Sequence, residues 1–345
     1  RNRAAKRRLR IDGRSTCGVE KLNVYVVGEG AVGTYLGDLL RSVNVAVAYA
    51  PRELEDVTPF DADVAIVAVK SYDTESAIET LRKGVSFPQK CVFVTPQNGV
   101  GNEEKLAAAF GADNVVAAAL TVPVGRDREG HGVPTHEGGL GFAPVGNAAY
   151  NWLWATFAST SLPVKVFSDY RALKWSKLSL NMVANASCAI LNVLPNRLVH
   201  YEHVFTLEIR AIREIRNVML KMGLTPIDLP RYPVRRLQSM ATLPSPIARA
   251  LLGNRIAGAR GRKPPSLLQD LRANKAATEV DVLNGAVVAA GDRLGVPTPV
   301  NRVFTRVLDD IAHMPQLWAK YRERPDVLEA EVRAEMKRTR ALSKA

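Results

Sequence analysis

Cysteine is scarce in this chain. Cys17, Cys91 and Cys188 are the only three in 345 residues, and no two of them form a CxxC pair. A disulfide framework and a zinc ribbon are thereby excluded, and a reducing, cytoplasmic setting is expected. No apolar run approaches the roughly 20 residues of a membrane-spanning helix, so no membrane partner is expected. The sequence also lacks HExxH, a Walker lysine motif and an EF-hand loop, which leaves no expected metal. Acidic residues fall short of basic ones, 34 against 47, for a net charge of +13. That excess raises nucleic acid as a partner, but its position argues otherwise. Six of the basic groups crowd into residues 1–10 (RNRAAKRRLR), ahead of the first structured segment. A charge block at a terminus reads as a solvated, disordered arm, here residues 1–20, and no nucleic-acid partner is expected. The chain opens without Met, as a fragment, a processed form or an upstream-extended gene model would. Residues 1–19 are Arg-rich and acid-poor, so an organellar import signal stays open beside the cytoplasmic reading.

What is present suits two domains, for which the length suffices. Residues 21–27 (KLNVYVV) have the β-branched content of a buried strand. They run into Gly28, Glu29, Gly30, Ala31, Val32 and Gly33 (GEGAVG) and then into a helical pattern. A GxGxxG between a strand and a helix reads as a dinucleotide turn, although a purely structural tight turn has the same pattern. The first glycine makes the turn, the second admits a pyrophosphate, and the third lets helix and strand pack closely. The free N–H groups of the helix start then face the phosphates. Apolar strands at 45–49, 63–69, 91–95 and 115–120, with helical patterns between several of them, predict a parallel sheet covered on both faces over residues 21–168. Ligands of such sheets lie at the carboxyl ends of strands. Lys70 and Asn98 stand at two of those ends, although Asn98-Gly99 is also an ordinary turn pair. No acid directly follows the second strand, where an NAD ribose would be held. Arg52 and Lys70 could together meet a 2′-phosphate, which favours NADP over NAD.

From about residue 169 helical patterns take over, at 170–192, 198–222, 245–258, 266–291 and 299–312. Residues 314–345 mix both charges and read as a solvated or frayed helical tail. Within 172–191, an almost wholly apolar stretch, Lys177, Asn181 and Asn185 recur every four residues and so share one face. Buried amides and ammonium groups need partners. A bound polar ligand is one, and neighbouring backbone and water are the others. Ser266 stands at a helix start as a plain N-cap or a ligand contact. Glu279 falls in an apolar helical pattern, on a solvated face or in a site.

These motifs, GEGAVG, VAVKSYDT, QNGVGNEE, KWSKLSLNMVANA, PSLLQDL and TEVDVLNG, occur in the order of the ketopantoate reductase (2-dehydropantoate 2-reductase) family, which the chain resembles over roughly residues 22–312. The resemblance implies an α/β Rossmann-type parallel sheet domain followed by an all-α domain (169–313) of the 6-phosphogluconate dehydrogenase C-terminal-like kind, with the active site in the cleft between them. It implies NADPH-dependent reduction of ketopantoate to pantoate. It makes Lys177 the general acid and Glu279 the group that orients the ammonium or a cofactor hydroxyl. Asn98 would hold the substrate near the nicotinamide, Asn181 and Asn185 its hydroxyl and carbonyl groups, and Ser266 its carboxylate. The chemistry agrees, since hydride addition to a ketone leaves negative charge on oxygen that a donor must meet. Burial and neighbours would lower the Lys177 pKa toward working pH.

The chain departs from the family pattern in four places. The stretch between Gly33 and Lys70 is short, as though a strand and its loop were missing, and Arg52 is the only arginine after the second strand. One extra residue separates PSLLQD from TEVD, and Lys263 or Pro264 stands where some relatives place a substrate-binding Asn. Another 2-oxo acid in the same family is therefore an alternative substrate, and a non-catalytic NADP-binding protein is an alternative function. A homodimer is left open.

Overall fold

The computed structural model describes residues 22–260 and 263–342. The basic arm expected over residues 1–20, with Cys17, lies outside the described residues. β1 (Asn23–Val27) passes through the glycine turn into α1 (Ala31–Arg41). Then come β2 (Ala46–Tyr49), β3 (Val64–Val67), α2 (Thr74–Gly84), β4 (Val92–Thr95), α3 (Asn102–Phe110) and β5 (Val115–Leu120). These strands pair in parallel in the order β2-β1-β3-β4-β5. Val24, Val26, Val64 and Ile66 pack with Tyr35, Leu36 and Leu40 of α1. Their chain neighbours Tyr25, Val27, Ala65 and Val67 pack with Ile78 and Leu81 of α2 and Leu106 of α3. Successive strand residues point to opposite faces, so a strand covered on both sides must be apolar throughout.

Four strands escape the sequence reading: β6 (Val124–Arg126), β7 (Gly132–Pro134), β8 (Leu140–Pro144) and β9 (Val164–Val166), with α4 (Asn151–Ala158) before the last. β8 joins β5 antiparallel and β9 joins β8 in parallel, completing a seven-stranded sheet. β6 and β7 form a separate hairpin that lies on α1. There the Gly132 N–H donates to Thr34 Oγ1 at 2.8 Å, and a Cβ on Gly132 would sit 1.9 Å from the Ala31 carbonyl oxygen. Strands of three residues punctuated by glycine and proline carry no readable period.

The remainder is helical: α5 (Tyr170–Met182), α6 (Ala186–Leu191), α7 (Pro195–Leu198), α8 (Glu202–Lys221), α9 (Val234–Ala241), α10 (Ser245–Arg260), α11 (Ser266–Arg272), α12 (Ala286–Leu294), α13 (Pro299–His313), α14 (Trp318–Tyr321) and α15 (Pro325–Leu342). Asp169 caps α5 by accepting from the Ala172 N–H at 3.0 Å. The small side chains of Ala117, Ala119 and Ala143 on the sheet let α5 lie close, with Leu173 against them.

Two expected helices are each broken. The stretch 170–192 is not continuous, because Ala184 takes a left-handed φ of +51° between α5 and α6. A break frees backbone groups that must be satisfied. The buried Glu208 of α8 does so, its Oε2 accepting from the Ala184 N–H at 2.7 Å. The stretch 266–291 stops at Arg272, passes Asn274 at φ +53°, and resumes through a π-turn, Asp281–Gly285. That turn is closed by the Gly285 N–H donating to the Val280 carbonyl at 2.9 Å. Glu279 therefore precedes a wide turn instead of lying inside a helix. In the tail, α15 buries Leu328 and Val332 completely in the core of the helical part.

Candidate active site

A cavity of about 780 Å³ lies between the sheet and the helices. Its sheet side begins at the glycine turn. Gly28 adopts φ +106°, and a Cβ there would lie 2.8 Å from the Ala68 carbonyl carbon. Gly30, which precedes α1, faces open space apart from the Ala68 oxygen at 3.9 Å. No side chain caps the start of α1. Gly33 is where α1 touches the turn, since its Cβ would lie 2.0 Å from the Gly28 oxygen. Gly33→Ala is therefore expected to push α1 off the turn, at a cost of about 1–3 kcal/mol. Denaturant unfolding and dinucleotide titration would check this, and unchanged values in both would refute the close-packing role.

Gly28, Gly30, Ala31, Val32, Lys70 and Asn98 line the cavity from the sheet side. From the helical side come Lys177, Asn181, Asn185, Ser266 and Glu279. Glu29, Gly33 and Arg52 are not on its wall. Arg52 is exposed just beyond β2, and the Glu29 carbonyl accepts from Arg126 Nη2 at 2.6 Å.

Lys70 leaves the end of β3 and enters the helical part. Its Nζ lies 3.0 Å from Glu279 Oε2 and 3.3 Å from Asp270 Oδ2, two nearly buried carboxylates. Burial opposes the Lys70 charge, but the two carboxylates outweigh it and hold the pKa above the ordinary lysine range. Ser71 Oγ donates to the other Glu279 oxygen at 3.4 Å. Asp270 also pairs with Lys275 at 2.8 Å. Lys70 and Ser71 thus tie Glu279, on the helical half, to the sheet half, and Asp270 holds Lys70 in turn.

Lys177 and Asn181 share a face of α5, as their spacing requires. Asn185 sits beyond the break yet still reaches the cavity. Asn181 Nδ2 donates to Asn98 Oδ1 at 2.9 Å, joining the two expected substrate amides across the cleft. Asn185 Oδ1 accepts from the Leu267 N–H at 3.2 Å, and its Nδ2 donates to Ser266 Oγ at 3.3 Å. The reading of Ser266 as an N-cap is corrected: Pro265 holds the cap position of α11 and Ser266 is the first helical residue. The cap function passes to Asn185, on a different helix.

The Asn98 loop is braced from two sides. Gly99, at φ +80°, lets the loop touch the π-turn, where a Cβ would meet Val282 at 2.6 Å. The Val100 N–H donates to the Val282 carbonyl at 3.3 Å. On the other side is a pair that sequence reasoning missed, Lys174 and Glu103. They are 2 % and 1 % exposed and 2.8 Å apart. Lys174 Nζ also donates to the Gln97 carbonyl at 2.6 Å and the Ala118 carbonyl at 3.4 Å. Burial pushes the Glu103 carboxyl up, and Lys174 opposes that shift. The available signal was a second lysine one turn before Lys177, on a helix with no clear solvent face.

Among the described residues, no group of three or more His, Cys, Asp or Glu could hold a metal ion. No described helix is long and apolar enough to cross a membrane.

Comparison with known proteins agrees with this architecture. The family model described as ketopantoate reductase PanE/ApbA matches residues 41–147, and that described as its C terminal matches residues 169–312. A 2-dehydropantoate 2-reductase from Pyrobaculum aerophilum is 30% identical over 250 residues, covering 72% of this chain and 76% of its own. A PanE/ApbA family ketopantoate reductase from Ralstonia eutropha JMP134 superposes with a TM-score of 0.69 at 29% identity, covering 86% of this chain and all of that one. The complex of D-mandelate dehydrogenase with NADH superposes equally well, TM-score 0.69, over 84% of this chain and 99% of that one. At 18% identity that likeness extends to the fold alone. Matched over both its halves, the chain belongs to the ketopantoate reductase family of oxidoreductases.

Proposed function

We propose that this chain reduces ketopantoate to pantoate with NADPH. The observation that carries the reading is a single cavity with the glycine turn on one side and Lys177, Asn181 and Glu279 on the other. The turn suits a dinucleotide pyrophosphate, because Gly30 leaves room at the wall and the uncapped start of α1 offers N–H groups beside it. When bound, the nicotinamide supplies the hydride. Lys177 Nζ donates the proton that the ketone oxygen requires as charge develops there. The Asn98–Asn181 pair and Asn185 with Ser266 orient the substrate's polar groups, and Lys70 and Asp270 keep Glu279 in place for the Lys177 ammonium or a ribose hydroxyl. Arg52, exposed after β2, whose end is followed directly by no acid, meets the 2′-phosphate.

The test follows the loss of reduced-nicotinamide absorbance with ketopantoate and a panel of other 2-oxo acids, using NADPH and NADH. Ketopantoate with NADPH is expected to give the highest kcat/KM. Arg52→Ala is expected to raise the KM for NADPH about tenfold, the worth of one charge-assisted contact, and to leave NADH unaffected. Faster turnover of another 2-oxo acid would keep the chemistry and change the substrate, a second reading favoured by Lys263 in the cavity wall. Dinucleotide binding without turnover of any acid would leave a non-catalytic binding protein.

A further inference from the structure

The groups expected to hold the substrate are mostly neutral, and several already bond one another. Asn98 is joined to Asn181, and Asn185 to Ser266 and the Leu267 N–H. A 2-oxo acid brings a carboxylate into this cavity, and none of these amides or hydroxyls carries a compensating charge. Lys177 is engaged with the ketone oxygen in the proposed chemistry, and Lys70 is neutralised by Glu279 and Asp270. His136 and Arg236 also line the cavity, but both are exposed, where solvent screens their charge.

Lys263 differs from all of these. It is half-buried in the cavity wall, three residues before Ser266. Its Nζ donates to the Val124 carbonyl of β6 at 3.1 Å. Among the described residues no carboxylate pairs with it. An ammonium has three protons to donate, and a single carbonyl leaves capacity for more. Burial lowers the Lys263 pKa, a penalty that an adjacent anion would reverse. The side chain also reaches across the cleft, from the loop before α11 to the β6–β7 hairpin.

We infer that Lys263 is the cation that binds the substrate's carboxylate, so that this enzyme selects 2-oxo acids over their uncharged derivatives through an ion pair at the cavity wall. The inference rests on the proposed reduction of a 2-oxo acid and adds the residue that selects its charge.

The experiment compares wild type, Lys263→Met and Lys263→Arg on the preferred 2-oxo acid of the panel and on its methyl ester. Lys263→Met is expected to raise KM for the acid by about 10- to 100-fold, with kcat within about twofold and KM for the ester unchanged. That range corresponds to loss of a hydrogen bond to a charged group. Lys263→Arg is expected to retain most of the preference for the acid. Equal weakening on acid and ester would mark Lys263 as a brace for β6 and overturn the inference. An unchanged KM for the acid in Lys263→Met would do the same. NADPH titration of each variant separates these outcomes from misfolding, and Lys263→Arg keeps the test open if the Met variant does not fold. Wild-type protein that turns over no 2-oxo acid defeats the proposed function itself, a failure visible before any variant is made.

Discussion

Lys177→Ala is expected to lower kcat by about 10²–10⁴-fold, the usual worth of a positioned general acid. Dinucleotide affinity and unfolding midpoint should barely move. The side chain is half-buried on the cavity wall, one turn from Asn181 on the same face of α5, so its loss leaves a gap that water can fill. Because the interaction acts on charge that develops during the reaction, kcat and kcat/KM should fall together. Steady-state kinetics with ketopantoate and nucleotide titration of the same variant would decide it. A variant that kept its kcat would remove Lys177 from the proton transfer.

One turn earlier the same kind of substitution should do something different. Lys174→Met is expected to destabilise the fold by about 3–5 kcal/mol, because it leaves the Glu103 carboxylate buried without its counter-ion. Urea unfolding of the variant checks the magnitude. The pH dependence has a definite sign. With the ammonium gone, the burial that already raises the folded-state pKa of Glu103 above the unfolded value loses its main opposing influence. The variant is then relatively most stable at low pH, where Glu103 is protonated in both states, and loses stability as pH rises through the raised pKa. Replacing both partners, Lys174→Met with Glu103→Leu, should recover most of the loss, since two apolar side chains need no partner. If the double variant were as unstable as the single one, the hydrogen bonds of Lys174 to the Gln97 and Ala118 carbonyls would be the larger contribution.

The contrast between these two lysines shows how far the sequence could be read. The glycine turn was legible because strand, glycines and helix are contiguous, and Gly28 and Gly33 each answer a local steric demand. Lys177 and Asn181 were legible because four-residue spacing on a helix fixes a shared face. Lys174 was not, because α5 is apolar nearly all round and the pattern does not say which face meets the sheet. Asn185 was found for an incomplete reason. It reaches the cavity across a break at Ala184 that depends on Glu208, 24 residues further on, and periodicity holds no trace of such a partner. Ser266 looked like a cap because serine favours that position, yet the cap of α11 is supplied by a side chain from another helix. The β6–β7 hairpin went unread for want of length, and with it the strand against which Lys263 rests. Arg52 was chosen by its distance along the chain from the glycines, and the structure leaves it off the cavity wall.

The buried α15 bears on where this protein can be cut. The family match stops at residue 312, an inviting place to end an expression clone. The hydrophobic core does not stop there. Trp318, Tyr321, Leu328 and Val332 belong to the same buried cluster as Phe304 and Leu308 of α13, and Trp318 Nε1 donates to the Ala189 and Ile190 carbonyls of α6 at 3.0 Å. A protein ending at 312 would present that apolar surface to water and leave the end of α6, the helix opened by Asn185, with carbonyls to satisfy. The end of the family match and the end of the buried core fall at different residues, and a tag or fusion partner belongs after α15.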